Sequence, residues 1–456
     1  MTISYDLLVV GAGTGNYALT PEVARGRVGI VESSRFGGTC LNRGCIPSKM
    51  FVVAADAARS VERAHRLGVD ARLGGADWRA IRDRIFGRID PLHTGAVDFR
   101  RGQGVEVYLE DARFIGPRRL LVGEQEVTAE RVLLAAGSRV QLPPVPGLSE
   151  VPHHTSDTIM RIDDLPGSML ILGGGFIAAE MGHVFSSFGV DVTVVQRGPL
   201  LLPAEDEEVA QRFTEVAGRS LTLRLDSSVV AVERDGAGVA ATVEGPDGRS
   251  RLTTDLLLVA TGRQSNADLL DVAAAGIETD EHGHVVTDAT GATTASGVWA
   301  LGDLANHFQL KHMANAEARI LSHNLSHPND PRPLPSGIAP HAVFGDPQVA
   351  SVGLTQHQAQ DRGVDHVVAV RHYSDTAYGW ALEDTTSFVK LLADPTSRLL
   401  LGAHVIGPDA AILLQPLLQG MMLGQTVEEM ARVLYVHPAL SEVVEQALLA
   451  LAPDPS

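Results

Sequence analysis

Short apolar runs alternate with glycine-rich turns along the chain, and between them lie stretches whose apolar positions recur at helical spacing. Tyr5-Asp6-Leu7-Leu8-Val9-Val10 predicts a buried parallel strand. Val28-Gly29-Ile30-Val31 predicts a second, with Tyr17 to Arg25 as a helix between them. Residues 48 to 67 carry an apolar stripe through Met50, Ala54, Ala57 and Val61 and predict a helix. Glu130 to Ser138 reads as a strand running into a small-residue turn, and the prolines from Pro143 to Pro146 mark a crossing between domains. Phe86 to Pro91 belongs to a less informative region.

The pattern then repeats. Ser168 to Leu172 and Asp191 to Val195 are strands around a helix through Ala179, Glu180 and Met181, and Asp255 to Arg263 is again a strand ending in Ala-x-Gly. Gly297 to Asp303 predicts a strand that ends in an acid, and Met313 to Asn324 a helix. Prolines at 328, 331, 333 and 335 mark a linker. Beyond it come four strands (Val349 to Val352, Val367 to Val370, Phe388 to Leu392, Leu399 to Val405) and then helices. The expected fold class is α/β: two duplicated Rossmann-like dinucleotide-binding domains and a C-terminal α+β domain.

Both repeats carry a glycine fingerprint at the turn after their first strand. Gly11-Ala12-Gly13-Thr14-Gly15-Asn16 matches G-x-G-x-x-G except at its last position, and Glu32 stands where an acid bonds ribose hydroxyls. Gly173-Gly174-Gly175-Phe176-Ile177-Ala178 is G-x-G-x-x-A, with Gln196 and Arg197 in place of the acid. A neutral Gln and a cationic Arg tolerate or attract a 2′-phosphate, which favours NADPH over NADH. Arg197 as a plain solvated arginine is the competing reading.

Composition changes this picture little. The chain has 456 residues, net charge −18 and 20% charged residues, a soluble multidomain balance that argues against nucleic-acid or anionic-membrane partners. Its only lysines are Lys49, Lys311 and Lys390. No basic leader precedes Leu7 to Val10 and no apolar stretch approaches the roughly 20 residues that span a bilayer, so a cytoplasmic protein is expected.

The two cysteines, Cys40 and Cys45, change it more. Helical Cα atoms five positions apart lie roughly 8.5 Å from each other, and a disulfide needs less than about 7 Å. A bond between these two therefore requires a distorted backbone, which Gly44 and Pro47 can supply. Such a bond would close a very small loop and be easy to reduce, as suits a redox centre. Two free thiols packed side by side remain the alternative. Near the chain's end, His437 and Glu442 are either an acid/base pair or a loop histidine beside a helix N-terminal acid.

Taken together, the run Gly37-Gly38-Thr39-Cys40-Leu41-Asn42-Arg43-Gly44-Cys45-Ile46-Pro47-Ser48-Lys49, His437-Pro438 with Glu442, and the two fingerprints resemble the pyridine nucleotide-disulfide oxidoreductases, the flavoprotein disulfide reductases, over essentially the whole chain. That resemblance implies an FAD-binding domain at 1–150 and 265–335, an NADPH-binding domain at 151–264 and a dimerisation domain at 337–456. FAD would be held by Gly11, Gly13, Thr14, Gly15, Glu32, Thr39, Lys49, Gly137 and Asp303. NADPH would be held by Gly173, Gly175, Ala178, Arg197 and Gly262. It implies a Cys40–Cys45 disulfide in which Cys45 faces the flavin as a thiolate and Cys40 exchanges with a small disulfide substrate. Lys49 would pair with Glu180 near the flavin, and His437, held by Glu442, would act across the interface of a homodimer.

Asn16, the run Phe86 to Pro91 and the run Tyr378 to Asp384 are similar to the mycothione-reducing branch of that family. The chain lacks the carboxy-terminal cysteine pair of mercuric and large thioredoxin reductases, and Pro203 stands about where many NADPH-specific relatives carry a second basic residue. No metal is expected. The rival expectations are an NAD-dependent dihydrolipoamide dehydrogenase and, from a different class, a non-catalytic flavoprotein redox sensor.

Overall fold

In the computed structural model, which describes residues 2–452, the first apolar run is the strand Ile3–Val10. It lies between Val28–Val31 and Gln125–Leu134 and runs parallel to both. Because successive side chains alternate, Leu7 and Val9 enter one apolar core and Leu8 and Val10 another, on opposite faces of the sheet. That is why the run shows no polar alternation. Glu106–Tyr108 extends the sheet beyond Val28–Val31. On the other side, Arg119–Val122 pairs antiparallel with the start of Gln125–Leu134, and Val298–Ala300 pairs parallel with its end.

The chain divides into two units. One is built from the residues up to Ser48, from Arg82–Gln141 and from Gly262–Ser336. The other is built from Lys49–Ile81, Leu142–Thr261 and the residues from Gly337 onward.

The second unit repeats the motif. Ser168–Leu172 lies between Asp191–Val195 and Leu256–Val259, all parallel, with the helix Phe176–Ser187 as the crossover. A three-stranded antiparallel meander, Ser228–Asp235, Gly238–Gly245 and Gly248–Thr254, precedes the last of these strands. The same unit holds a five-stranded antiparallel sheet in the order His341–Val343, Val349–Gly353, Leu400–Ile406, Phe388–Ala393, Val367–His372. Helices Ala410–Leu423 and Ser441–Leu451 share its apolar core. Beside this sheet Lys390 is 1% exposed and its Nζ donates to Asp206 Oδ1 at 2.8 Å and Glu208 Oε1 at 2.9 Å.

Two local expectations need correction, and one region left without an expectation is a helix. The helix expected over Tyr17 to Arg25 is a single turn, Gly15–Ala18. Pro21 has no N–H to continue the ladder and disfavours helical geometry at Thr20. The buried Arg100 then takes the released carbonyls of Asn16 and Leu19, and its Nε donates to Asn16 Oδ1 at 2.6 Å. The helix expected over 48 to 67 runs from Cys45 to Arg63, followed by a 3-10 turn at Ala64–Leu67. The region around Phe86 to Pro91 lies inside the 25-residue helix Trp78–Gly102, which continues through Pro91.

Candidate functional site

The backbone breaks where the cysteine spacing requires it. The helix Gly38–Arg43 stops at Gly44, and the helix Cys45–Arg63 starts at the next residue. A Cβ on Gly44 would stand 3.0 Å from the Thr39 carbonyl oxygen, so glycine permits the close fold. Pro47 falls in the first turn of the new helix, where its missing N–H has no helical partner to lose. Buried Asn42 fastens the turn from below, its Nδ2 donating to the carbonyls of Phe36 at 3.0 Å and Gly38 at 2.9 Å.

Cys40 and Cys45 are free thiols here, Cys40 half-buried and Cys45 exposed. The Cys45 thiol hydrogen-bonds the Cys40 sulfur and lowers its pKa to about 7 against the opposing effect of burial. The Lys311 ammonium and the N–H groups of Cys45 and Ile46 add to the effect. The resemblance implies a thiolate at Cys45. In this geometry the first N–H groups of the helix Cys45–Arg63 serve Cys40 instead.

Lys311 was not singled out from sequence as a site residue. Its Nζ donates to Thr14 Oγ1 at 2.9 Å and lies 4.7 Å from the centre of the Tyr17 ring. Burial lowers its pKa, while Cys40, Cys45 and Asp303 pull the other way. The available signal was rarity: a chain that uses arginine almost everywhere keeps lysine at three positions. Asp303, in the turn Gly302–Leu304, accepts from Ser138 Oγ at 2.8 Å, next to the positive-φ Gly137.

The two glycine turns prove alike atom by atom. Gly11 has φ +105° and its N–H donates to Val31; Gly173 has φ +104° and its N–H donates to Val195. A Cβ on Gly11 would lie 2.2 Å from the Ala135 carbonyl oxygen, and one on Gly173 2.4 Å from that of Ala260. Each turn thus presses against the Ala-x-Gly end of its neighbouring strand. In the first turn Gly15 does the packing usually left to the third glycine, since its Cβ would meet the Ala135 Cβ at 2.7 Å. The mismatch at Asn16 is therefore a shift of that contact by one residue.

The cysteine segment is joined to the first turn. Gly37 donates to the Ala12 carbonyl at 3.0 Å, and a Cβ on Gly38 would come within 2.8 Å of the Gly13 Cα. Glu32 accepts from the Ala12 N–H at 2.8 Å and the Ser34 N–H at 3.0 Å, and burial raises its pKa. These glycines leave an uncluttered backbone surface of the kind a dinucleotide phosphate needs. Gly11, Gly13, Thr14, Gly15, Glu32, Thr39, Cys40, Cys45, Gly137 and Asp303 all belong to the first unit, as does Gly262, whose carbonyl accepts from Gln141 at 3.0 Å.

The remaining predicted residues belong to the second unit. Gly175 precedes the helix Phe176–Ser187, on which Ala178 is buried, and Arg197 is exposed past the end of Asp191–Val195. Lys49 and Glu180 meet around Phe344. The lysine Nζ lies 3.7 Å from the ring centre, and Glu180 Oε1 accepts from the Phe344 N–H at 3.1 Å. Burial lowers the pKa of Lys49, partly offset by Asp56, Glu180 and Asp409. His437 Nδ1 and Glu442 Oε1 are 2.7 Å apart, and Glu442 Oε2 accepts from the Ala439 N–H at 3.0 Å. The histidine hydrogen bond holds Glu442 below the usual carboxylate range, while the imidazole itself is largely exposed. Such a ring is oriented but free to meet a partner.

Comparison with known proteins agrees with these features. The model of the pyridine nucleotide-disulphide oxidoreductases matches residues 5–318, and that of their dimerisation domain residues 339–448. The mycothione reductase of Mycobacterium tuberculosis H37Rv is 48% identical over 98% of this chain and 99% of its own length. A dihydrolipoyl dehydrogenase of Haloferax volcanii is 30% identical over 97% of this chain and 95% of its own. Among solved structures, the HOCl-induced flavoprotein disulfide reductase RclA from Escherichia coli superposes with a TM-score of 0.86 at 26% identity, covering 98% of this chain and 99% of that one. Among the described residues no helix is long and apolar enough to cross a membrane. The chain belongs to the pyridine nucleotide-disulphide oxidoreductase family and is a flavoprotein disulfide reductase.

Proposed function

We propose that this protein uses NADPH to reduce a low-molecular-weight disulfide, with mycothione as the substrate and a Cys40–Cys45 disulfide as the oxidised resting state. The observation that carries the reading is the broken helix at Gly44, which sets one thiol against another and brings Cys40 to about 7. The 48% identical relative named a mycothione reductase supports the choice of substrate. Gln196 and Arg197 support NADPH, because neither repels a 2′-phosphate as an acid would.

The glycine surface of the first turn fits FAD, with Gly11, Gly13, Thr14, Gly15 and Glu32 at the dinucleotide and Thr39, Lys49, Gly137 and Asp303 toward its remaining parts. Gly173, Gly175, Ala178, Arg197 and Gly262 are assigned to the nicotinamide cofactor. The domain roles follow: 1–150 with 265–335 for FAD, 151–264 for NADPH and 337–456 for pairing with a second copy. Bound FAD supplies the electron pair, taken from the nicotinamide, that opens the cysteine disulfide.

The chain's own groups do the rest. Cys40 as thiolate attacks one sulfur of the substrate, the substrate S–S bond breaks, and the leaving thiolate takes a proton from His437. Cys45 as thiolate then attacks the Cys40 sulfur of the mixed disulfide, which re-forms the Cys40–Cys45 bond and releases the second half of the substrate as a thiolate that takes its proton from solvent. Glu442 fixes the orientation of the His437 ring through the 2.7 Å contact at Nδ1. In the homodimer this histidine serves the cysteine pair of the other subunit.

NADPH oxidation with mycothione, glutathione disulfide and lipoamide, repeated with NADH, tests the reading. Mycothione with NADPH should give the highest kcat/KM. Preference for lipoamide with NAD(H) would replace it by a dihydrolipoamide dehydrogenase. A Cys40→Ser enzyme that still turned over disulfide would overturn the mechanism, and His437→Ala should slow turnover by about 10²–10⁴-fold.

A further inference from the structure

The first unit holds a group of side chains that disulfide chemistry does not use. Asp280, His284 and His307 each offer one ligand atom, and these atoms all lie within 4.8 Å of one another. His307 Nε2 is 3.0 Å from Asp280 Oδ2, and His284 Nδ1 is 3.6 Å from Asp280 Oδ1. The His284 and His307 rings are 4.1 Å apart, centre to centre.

The second observation is His284 itself. It is only 6% exposed, and neither ring nitrogen has a hydrogen-bond partner. An Asp–His ion pair would need one imidazole, and His307 already supplies it from the surface. A second imidazole buried beside the first, with both nitrogens unsatisfied, is costly unless something else binds it.

We propose that Asp280, His284 and His307 form a binding site for a divalent late transition metal of the zinc type. Imidazole nitrogens with one carboxylate oxygen are the donor set such ions prefer over magnesium or calcium. Tetrahedral ligands at about 2.0–2.1 Å from a zinc ion stand about 3.3 Å apart. The 3.0 Å between His307 Nε2 and Asp280 Oδ2 is already close to that value, and all three ligand atoms lie within 4.8 Å of one another. The carboxylate is also oriented in advance, since Asp280 Oδ1 accepts from the N–H groups of His282 and His284 at 2.9 Å each. A fourth position is left for water or for the exposed His282, whose ring centre is 5.4 Å from that of His307.

The site has a structural consequence. It ties the turn at 280–284 to the segment between Asp303 and Lys311, already linked by the Val285 N–H to the Leu304 carbonyl at 2.9 Å. A bound ion would therefore stiffen the segment that carries Asp303 and Lys311.

The test uses the full flavin-loaded chain with Cys40→Ser and Cys45→Ser, which removes the competing thiols. Zn(II) is added, excess is dialysed away, and bound metal and affinity are measured by elemental analysis and calorimetry. One zinc per chain is expected, with affinity at least tenfold weaker in His307→Gln and in Asp280→Asn. His307 is exposed, so its variant should keep the fold, which circular dichroism checks. No retained zinc in the cysteine-free chain, or unchanged affinity in a folded His307→Gln, would overturn the proposal.

Discussion

Each residue near the cysteine pair makes a separable contribution. With Cys40 at about 7, roughly half of it is thiolate at neutral pH, where an ordinary thiol is nearly all protonated. Alkylation of the reduced enzyme by iodoacetamide should rise with pH around a midpoint near 7. Lys311→Met removes a cationic neighbour, so the midpoint should move upward and inactivation at pH 7 should slow. Glu442→Gln keeps the shape of the His437 partner and deletes its charge; turnover should fall by about tenfold or more while the KM for the pyridine nucleotide stays unchanged. Cys40, Cys45, His437 and Glu442 were legible because their chemistry is rare in sequence. Lys311 and Asn42 were not, since the donor of one reaches Thr14 from 297 residues away and the other acts only by filling a buried corner.

At the scale of elements, the glycine turns are where substitution should be least tolerated. Gly11→Ala would force a side chain onto positive φ and into the Ala135 carbonyl, so the protein should purify without its flavin absorbance. Gly173→Ala makes the same collision in the second turn, against Ala260. That variant should keep the flavin and show at least a tenfold higher KM for the pyridine nucleotide in steady-state assays. Both turns and their strands could be read from pattern, since a doubly buried strand writes itself as a continuous apolar run. The helix after the first turn could not be sized by the same means, because Pro21 and Arg100 end it through backbone geometry and a distant side chain. Trp78–Gly102 was hidden for the opposite reason: Gly87, Pro91 and Gly95 look like breakers, yet helix geometry persists around them.

For the molecule as a whole, one consequential polar contact is a buried ion pair that joins the antiparallel sheet to the start of the helix Glu207–Ala217. Lys390 is buried against Asp206, which also begins that helix and accepts from the Gln356 N–H at 3.0 Å. Lys390→Met leaves that carboxylate without its cation and should cost about 3–5 kcal/mol in urea unfolding, although the replacement is apolar and of similar length. Burial by itself would raise the Asp206 pKa, but Lys390 and the Gln356 N–H outweigh it and hold the group below its ordinary value. Its contribution is complete above the unfolded carboxyl pKa and is lost as pH falls through the lowered folded one. The part of acid destabilisation below about pH 4 that depends on this pair should therefore shrink in the variant. The scarcity of lysine then gives the chain an unusual property toward covalent labelling. Apart from the amino terminus, an amine-acylating reagent has only Lys49, Lys311 and Lys390 to meet, and none of them is an exposed residue. Burial leaves Lys49 and Lys311 with more uncharged amine near neutral pH than a surface lysine has, so in the native protein they should acylate first, at positions beside Phe344 and Thr14. Lys390 should acylate only when its sheet opens. Peptide mapping of three acylation sites would thus follow nucleotide occupancy and unfolding in a single sample.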